Sequence, residues 1–170
     1  MLGKLKQVAQ TNITNGDTVV NITGVSENCT YLLIIKDVMT TGTPQIRYRL
    51  TASGSPVTTS TYEYAYKTMI NGAYQDHHAR ANAFTDSTAT LYQQDYNGFN
   101  AEIYLNNLYD INEKSTFIEK NVFIQATPMI HNFWGVGCET TTAVRDGFSM
   151  HLSTGATFTR GQLTLFKLVQ

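Results

Sequence analysis

Apolar and polar residues alternate through most of this chain, and segments with a helical period are hard to find. The segment QIRYRL places Ile46, Tyr48 and Leu50 on one face. In the segment AEIYL, Ile103 and Leu105 likewise share one face, and the residues next to them in the sequence point to the other face. Successive side chains of a strand point to opposite faces, so this alternation is typical of strands that bury one face. The pattern predicts an all-β protein.

Turn-forming residues separate these runs and lie at residues 15–17, 41–44, 53–56, 97–98 and 154–155. Many short strands divided by such turns predict an antiparallel β-sandwich, jelly-roll-like, with about ten strands. The length of 170 residues suits one domain. We expect residues 11–170 to form a single β-sandwich domain, and residues 1–10 to form an N-terminal arm or the first strand.

The last segment of the chain has apolar residues on both of its faces. Leu163 and Leu165 face one way, and Phe166 and Leu168 face the other. A strand of this kind is buried on both sides or is shared with a neighbouring subunit. Jelly-roll connectivity would place it inside a sheet, beside a strand from much earlier in the chain.

The segment KTMINGAYQDHHARAN, residues 67–82, has no clean alternation. We interpret it as a long surface loop, and long loops of this kind are often functional. Its residues Tyr74, Asp76, His77 and His78 form the candidate exposed binding loop. Adjacent histidines on a strand would point to opposite faces and would chelate one ion poorly, so we predict no metal site.

Charged residues make up only 15% of the chain, and the net charge is −1. This balance gives no electrostatic footprint for nucleic acid or for an anionic membrane. Low charge fits a surface partly covered by other copies or partners, and it fits equally a β surface rich in Thr, Asn and Ser. Cys29 and Cys138 match no metal or redox spacing, and we predict free thiols because the N-terminus lacks the apolar core of an export signal.

No nucleophile elbow, zinc-binding helix motif or phosphate-binding glycine loop occurs in the sequence. Surface carboxylates are scattered along the chain, and the sequence does not show two of them converging as a glycosidase pair requires. We therefore predict no catalytic residue and no cofactor, and we expect the protein not to be an enzyme.

Tyrosines are the other notable feature, because Tyr62, Tyr64 and Tyr66 share one face of a predicted strand. Three interpretations stay open: ordinary cross-strand packing, a subunit interface, and a face that binds glycans. The N-terminal segment adds apolar residues that suit docking or subunit contact. The candidate interface residues are Leu2, Leu5, Val8, Tyr62, Tyr64 and Tyr66.

Several segments in a fixed order resemble one known family. They are NGDTVVNITGVSENCTYLLIIKDV, RLTASGSPVTTSTYEYAY, IYLNNLYDINEKSTF, FWGVG, and an ending with Gly155, Phe158 and Gly161 before Leu163, Leu165 and Phe166. This order is similar to the β-sandwich domain that recurs in virion proteins of tailed bacteriophages, both as capsid decoration proteins and as terminal domains of tail fibres. The family ends in a Leu-Tyr-Gly type tripeptide, whereas this chain has Lys167 in place of the glycine.

The resemblance implies a phage virion structural protein, and in particular a capsid decoration or cement protein that stabilises the shell. The alternative is a tail-associated module that binds a receptor or glycan. The expected partners are other copies of the chain, with a trimer favoured by closed cyclic symmetry, and the major capsid protein or other virion proteins. The resemblance implies synthesis in the host bacterial cytoplasm and a place on the capsid surface, with the tail as the alternative. It transfers no catalytic residue.

Overall fold

The computed structural model describes residues 4–59, 62–70, 73–82, 85–90, 98–153 without 126–128, and 155–169. Within these ranges the protein has thirteen β-strands and no helix, so no helix there is long and apolar enough to cross a membrane. The strands are β1 (Lys4–Asn12), β2 (Val19–Thr23), β3 (Tyr31–Thr40), β4 (Gln45–Ala52), β5 (Ser55–Pro56), β6 (Tyr62–Ile70), β7 (Ala73–Asn82), β8 (Thr85–Thr90), β9 (Phe99–Asn106), β10 (Lys114–Gln125), β11 (Met129–Thr142), β12 (Gly147–Leu152) and β13 (Phe158–Val169).

The strands form two sheets in which every pair is antiparallel, so the predicted all-β antiparallel sandwich is confirmed. The large sheet has eight strands in the order β1-β13-β3-β9-β10-β11-β6-β7. The small sheet has five, in the order β2-β12-β4-β5 with β8 beside β4. The strands that alternation did not indicate include β1, β5, β7, β8 and β11.

The core lies between the inner faces of the two sheets. Its side chains include Ile46, Tyr48, Leu50, Ile103 and Leu105, which the sequence pattern grouped on one face of their strands. Tyr48 and Phe148 from the small sheet have ring centroids 4.9 Å apart. Each large apolar side chain buried in this way stabilises the fold by about 1.5–3 kcal/mol. The large-sheet members include Tyr31, Leu33, Ile35, Ile103, Leu105, Leu163 and Leu165, and the small-sheet members include Ile22, Ile46, Tyr48, Leu50, Phe148 and Met150.

The terminal strand β13 lies inside the large sheet, between β1 and β3. Leu163 and Leu165 are fully buried on its inner side, while Phe166 on its outer side is half-buried. The N-terminal segment from Lys4 onward is the first strand, paired with β13 along its whole length. At the position where the sequence departs from the phage family, the Lys167 ammonium donates to the Glu27 carboxylate.

The segment predicted as a long loop is instead the hairpin of β6 and β7, and this is a correction to the sequence interpretation. The two strands pair from Tyr62 and Asn82 at one end to Ile70 and Ala73 at the other. Strand β7 is an edge strand of the large sheet, and its residues 73–76 are all exposed. Because neither of its faces is fully buried there, its sequence has no alternation to recognise.

We predict that Gly147→Ala destabilises the protein by about 1–3 kcal/mol or more, because overpacking forces a closely packed backbone to move. Gly147 lies between β2 and β4, and an added Cβ would stand 2.1 Å from the carbonyl oxygen of Ile22. Urea unfolding at one protein concentration measures the change. Gly155→Ala is the control, since its Cβ would meet nothing within 4 Å. Equal unfolding midpoints for the two variants would contradict the predicted clash.

Candidate functional site

The outward side of the large sheet carries large apolar side chains that the small sheet does not cover. We call this side of the large sheet the outer face, and five of its exposed large apolar side chains come from the central strands β9, β10 and β11. Monomeric proteins seldom expose a contiguous apolar patch of this extent unless it serves an interaction. The five are Trp134 at 58% exposure, Val122 at 48%, Val136 at 46%, and Tyr104 and Ile118 at 38% each.

One row of the outer face is apolar across six adjacent strands. Ile118 is the cross-strand partner of both Tyr104 and Val136, so these three side chains are direct neighbours. The row continues through the partners of its end members on both sides. In strand order it consists of Phe166, Leu32, Tyr104, Ile118, Val136 and Ala65. We call this set the apolar row.

A charged row runs beside the apolar row, two residues along each strand. Its members in strand order are Glu102, Lys120, Trp134, Lys67 and Asp76. The Lys67 ammonium lies 3.4 Å from a carboxylate oxygen of Asp76, with both side chains largely exposed. Two lysines and two carboxylates give this row a net charge of 2 − 2 = 0. The outer face therefore combines an apolar surface with balanced, fixed charges.

Tyr62, Tyr64 and Tyr66 share one face of β6, and this is the inner face. Tyr62 is 1% exposed, and its hydroxyl oxygen accepts a 3.0 Å hydrogen bond from the backbone N–H of Leu50. Burial raises the pKa of Tyr62 to about 12. Its side chain is part of the core and leaves no surface for another subunit, so the packing interpretation fits Tyr62.

Tyr64 and Tyr66 are half-buried and stack with a centroid distance of 5.8 Å. Tyr66 also stacks on His77 at 4.6 Å and contacts Phe133 at 4.9 Å. These contacts lie on the inner side of the β6–β7 hairpin, so the two tyrosines pack within the chain and keep only part of their surface accessible.

The N-terminal candidates differ from one another in placement. Leu2 lies outside the described residues. Leu5 is 52% exposed on β1, opposite Leu168, which is 43% exposed. Val8 is partly buried against the core. Of the predicted N-terminal interface residues, only Leu5 therefore presents a large exposed surface in the described part of the chain.

The candidate loop residues lie on strand β7, where the backbone fixes their directions. His77 stacks on Tyr66 at the inner side, whereas Asp76 and His78 belong to the outer side with Trp134. The two adjacent histidines therefore lie on opposite sides of β7. Among the residues that the structure describes, no group of three or more His, Cys, Asp or Glu is placed to hold a metal ion. Both cysteines are free thiols.

A shallow depression of about 340 Å³ lies on the outer side, between β6, β7 and β11. Lys67, Asp76, His78, Trp134 and Val136 contribute to its lining. Tyr74 stands close by, with its ring centroid 5.7 Å from the Lys67 ammonium nitrogen and 68% of the residue exposed. Aromatic rings, a carboxylate and an imidazole are therefore grouped at one end of the outer face.

Sequence reasoning missed a buried ion pair between Glu139 and Arg145. The Arg145 Nε donates a 2.8 Å hydrogen bond to Glu139 Oε2, and Nη2 donates to Oε1. The Thr141 hydroxyl also donates to Oε1, at 3.0 Å. A buried charge that is paired and hydrogen-bonded in this way is a structural element, and no sequence period marks the pair because the arginine lies beyond the end of β11.

His151 lies on the outward side of the small sheet, directly opposite Arg47 on the neighbouring strand. Burial of the imidazole, together with the positive charges of Arg49 and Arg47, lowers the pKa of His151 to about 4. The histidine is therefore neutral at pH 7.

We predict that His151 makes the fold sensitive to acid. Its folded pKa of about 4 lies below the ordinary 6.5, so the unfolded chain takes up a proton first as the pH falls. Stability is lost from about pH 6.5 down to about pH 4, and the loss at pH 5 is about 2 kcal/mol. We measure the free energy of unfolding in urea at pH 8 and at pH 5. The decrease between these pH values should be smaller in His151→Gln than in the wild type, by about this amount. An unchanged difference would contradict the assignment.

Comparison of the chain with protein-family models, with curated proteins and with solved structures finds no match.

Proposed function

We propose that this protein is a virion structural protein of a tailed bacteriophage, and specifically a capsid decoration protein that stabilises the assembled shell. The observation that carries the proposal is the apolar row, which crosses six strands on the side of the large sheet that the small sheet leaves uncovered. An uncovered apolar surface of this length suits a protein that works in an assembly. The sequence resemblance supplies the kind of assembly.

A decoration protein acts through binding free energy rather than through chemistry. When it binds the assembled shell and not its separate subunits, it shifts the assembly equilibrium toward the shell by mass action. Its partners in this proposal are the major capsid protein or other virion proteins and further copies of itself, for which the sequence favours a trimer. It would be made in the bacterial cytoplasm and would act on the capsid surface.

We expect the purified protein to sediment with undecorated shells of the phage that encodes it, and to raise the temperature at which those shells come apart. Shells that already carry their natural decoration are the matched control, because their binding positions are occupied and added protein should stay in the supernatant. Protein that stays in the supernatant with undecorated shells, at concentrations that saturate a micromolar site, would contradict the decoration proposal.

The second candidate is a tail-associated module that binds a receptor or glycan, and the depression beside β7 favours it. Trp134 and Tyr74 expose their rings there, next to the Asp76 carboxylate. Exposed rings can stack on the apolar faces of sugars, while a few placed polar groups fix orientation through hydrogen bonds.

For this candidate we predict binding on a glycan array that Tyr74→Ala weakens about tenfold or more, the factor that corresponds to about 1.4 kcal/mol. Tyr109→Ala is the matched control, because Tyr109 is also exposed, at 44%, but lies after β9 and away from the depression. An array without any hit, or an equal loss in both variants, removes the glycan site from consideration.

A further inference from the structure

We propose that the outer face binds the same face of a second copy of this chain, about a two-fold axis that runs parallel to the strands between β10 and β11. The inference rests on the proposed function in one respect, namely that the protein acts as an assembly of copies. It adds the surface, the partner and the register of the contact.

The two-fold axis exchanges β10 with β11 and β9 with β6, following the strand order of the large sheet. In the apolar row, Ile118 then lies opposite the partner's Val136. Tyr104 has the largest side chain of the row, and it lies opposite the partner's Ala65, which has the smallest. Large side chains facing small ones interdigitate across stacked sheets, as they do in the core of a sandwich.

The charged row gives the second argument, because the same axis pairs opposite charges. Glu102 lies opposite the partner's Lys67, and Lys120 lies opposite the partner's Trp134. The second contact places an ammonium group over an exposed indole ring, which is a favourable cation–π arrangement. An axis moved onto β11 would instead set Lys120 against the partner's Lys67. The charges therefore disfavour an axis on β11. An axis between β9 and β10 would also bring unlike charges together, Glu102 and the partner's Lys120, but only the axis between β10 and β11 sets Tyr104 against the small Ala65.

The size of the face suits a stable pair of copies. The five strands from β3 to β6 lie about 4.8 Å apart and each offers about six residues at about 3.4 Å, which gives a face of about 24 by 20 Å. Its projected area is about 500 Å², and side-chain relief raises the accessible area toward the roughly 800 Å² that each partner contributes to a standard interface. Aligned stacking of two such sheets about 10 Å apart is common in β-proteins.

The edges of the large sheet are less suited to pairing with another copy. Strand β1 exposes Lys4 and Lys6, and strand β7 exposes Asp76 and His78. Charged side chains on edge strands oppose edge-to-edge pairing of sheets. The balanced outer face is therefore the better surface for contact between copies.

Two single charge reversals and their mixture test the register. We expect light scattering to give two chains for the wild type, or six where two trimers pair through the outer face, and half that mass for Glu102→Lys alone and for Lys67→Glu alone. Each variant alone would face like charges across the axis. In an equimolar mixture, each variant offers the charge that the other needs at both contacts, so the mass should return to the wild-type value. Unfolding cannot produce this rescue, which keeps the test independent of folding.

Val136→Lys supplies a second measurement, because it places a charge in the centre of the apolar row. Val19→Lys is the matched control: Val19 is 45% exposed and Val136 46%, but Val19 lies on the small sheet. We expect only Val136→Lys to halve the mass. A monomeric or trimeric wild type, a mixture without rescue, or equal behaviour of the two lysine variants would overturn the inference.

These masses are measured without shells, so they test the contact between copies alone. Sedimentation with undecorated shells tests the decoration proposal alone. A paired protein that ignores shells would refute the decoration function and leave the interface standing. A protein that binds shells as a monomer or trimer would do the reverse.

Discussion

The chain passes from the large sheet to the small sheet at Arg145 and Asp146, and the arrangement of the two sheets depends on how these charges are satisfied. Arg145 pairs with Glu139 of β11, both of them buried. The Asp146 carboxylate accepts hydrogen bonds from the Thr51 hydroxyl at 2.6 Å and from the Gly54 backbone N–H at 2.7 Å. Loss of one partner from a buried pair costs about 3–5 kcal/mol, so this connection between the two sheets depends on both charges being present.

Strand β10 shows how the residues on the covered side of the large sheet differ from those on the uncovered side. Its inner positions include Glu119 and Asn121, which are buried and bonded to each other at 2.7 Å, and the Tyr48 hydroxyl donates to Glu119 at 2.9 Å. Its outer positions include Ile118 and Val122, which are exposed. The buried carboxylate of Glu119 is thus hydrogen-bonded inside the fold, while apolar side chains of the same strand remain exposed on the other side. Contact of the exposed apolar side chains with water is unfavourable. Covering the outer side would remove this contact.

Alternation in the sequence predicted β4 and β9 with their apolar residues grouped on the correct face, because the inward positions of both strands are buried and most positions between them are not. The two-sided apolar pattern of the last strand predicted that β13 lies inside a sheet, and it lies between β1 and β3. Strand β7 could not be predicted, since exposure at the sheet edge removes the period. The two rows of the outer face could not be predicted from the sequence either. Leu32, Tyr104 and Val136 become neighbours only through the order and register of strands that are far apart in the chain.

The charges beside the apolar row can determine the register in which the outer face binds another sheet. Apolar contact alone would stack such sheets in several registers, since hydrophobic attraction has little direction. Fixed charges next to the row penalise the registers that bring like signs together, and this discrimination gives the contact its specificity. A fold that completes its burial through another copy also has a stability that depends on protein concentration. In the proposed pair, folding first buries the apolar core of each chain, and assembly of the two copies then buries the outer face.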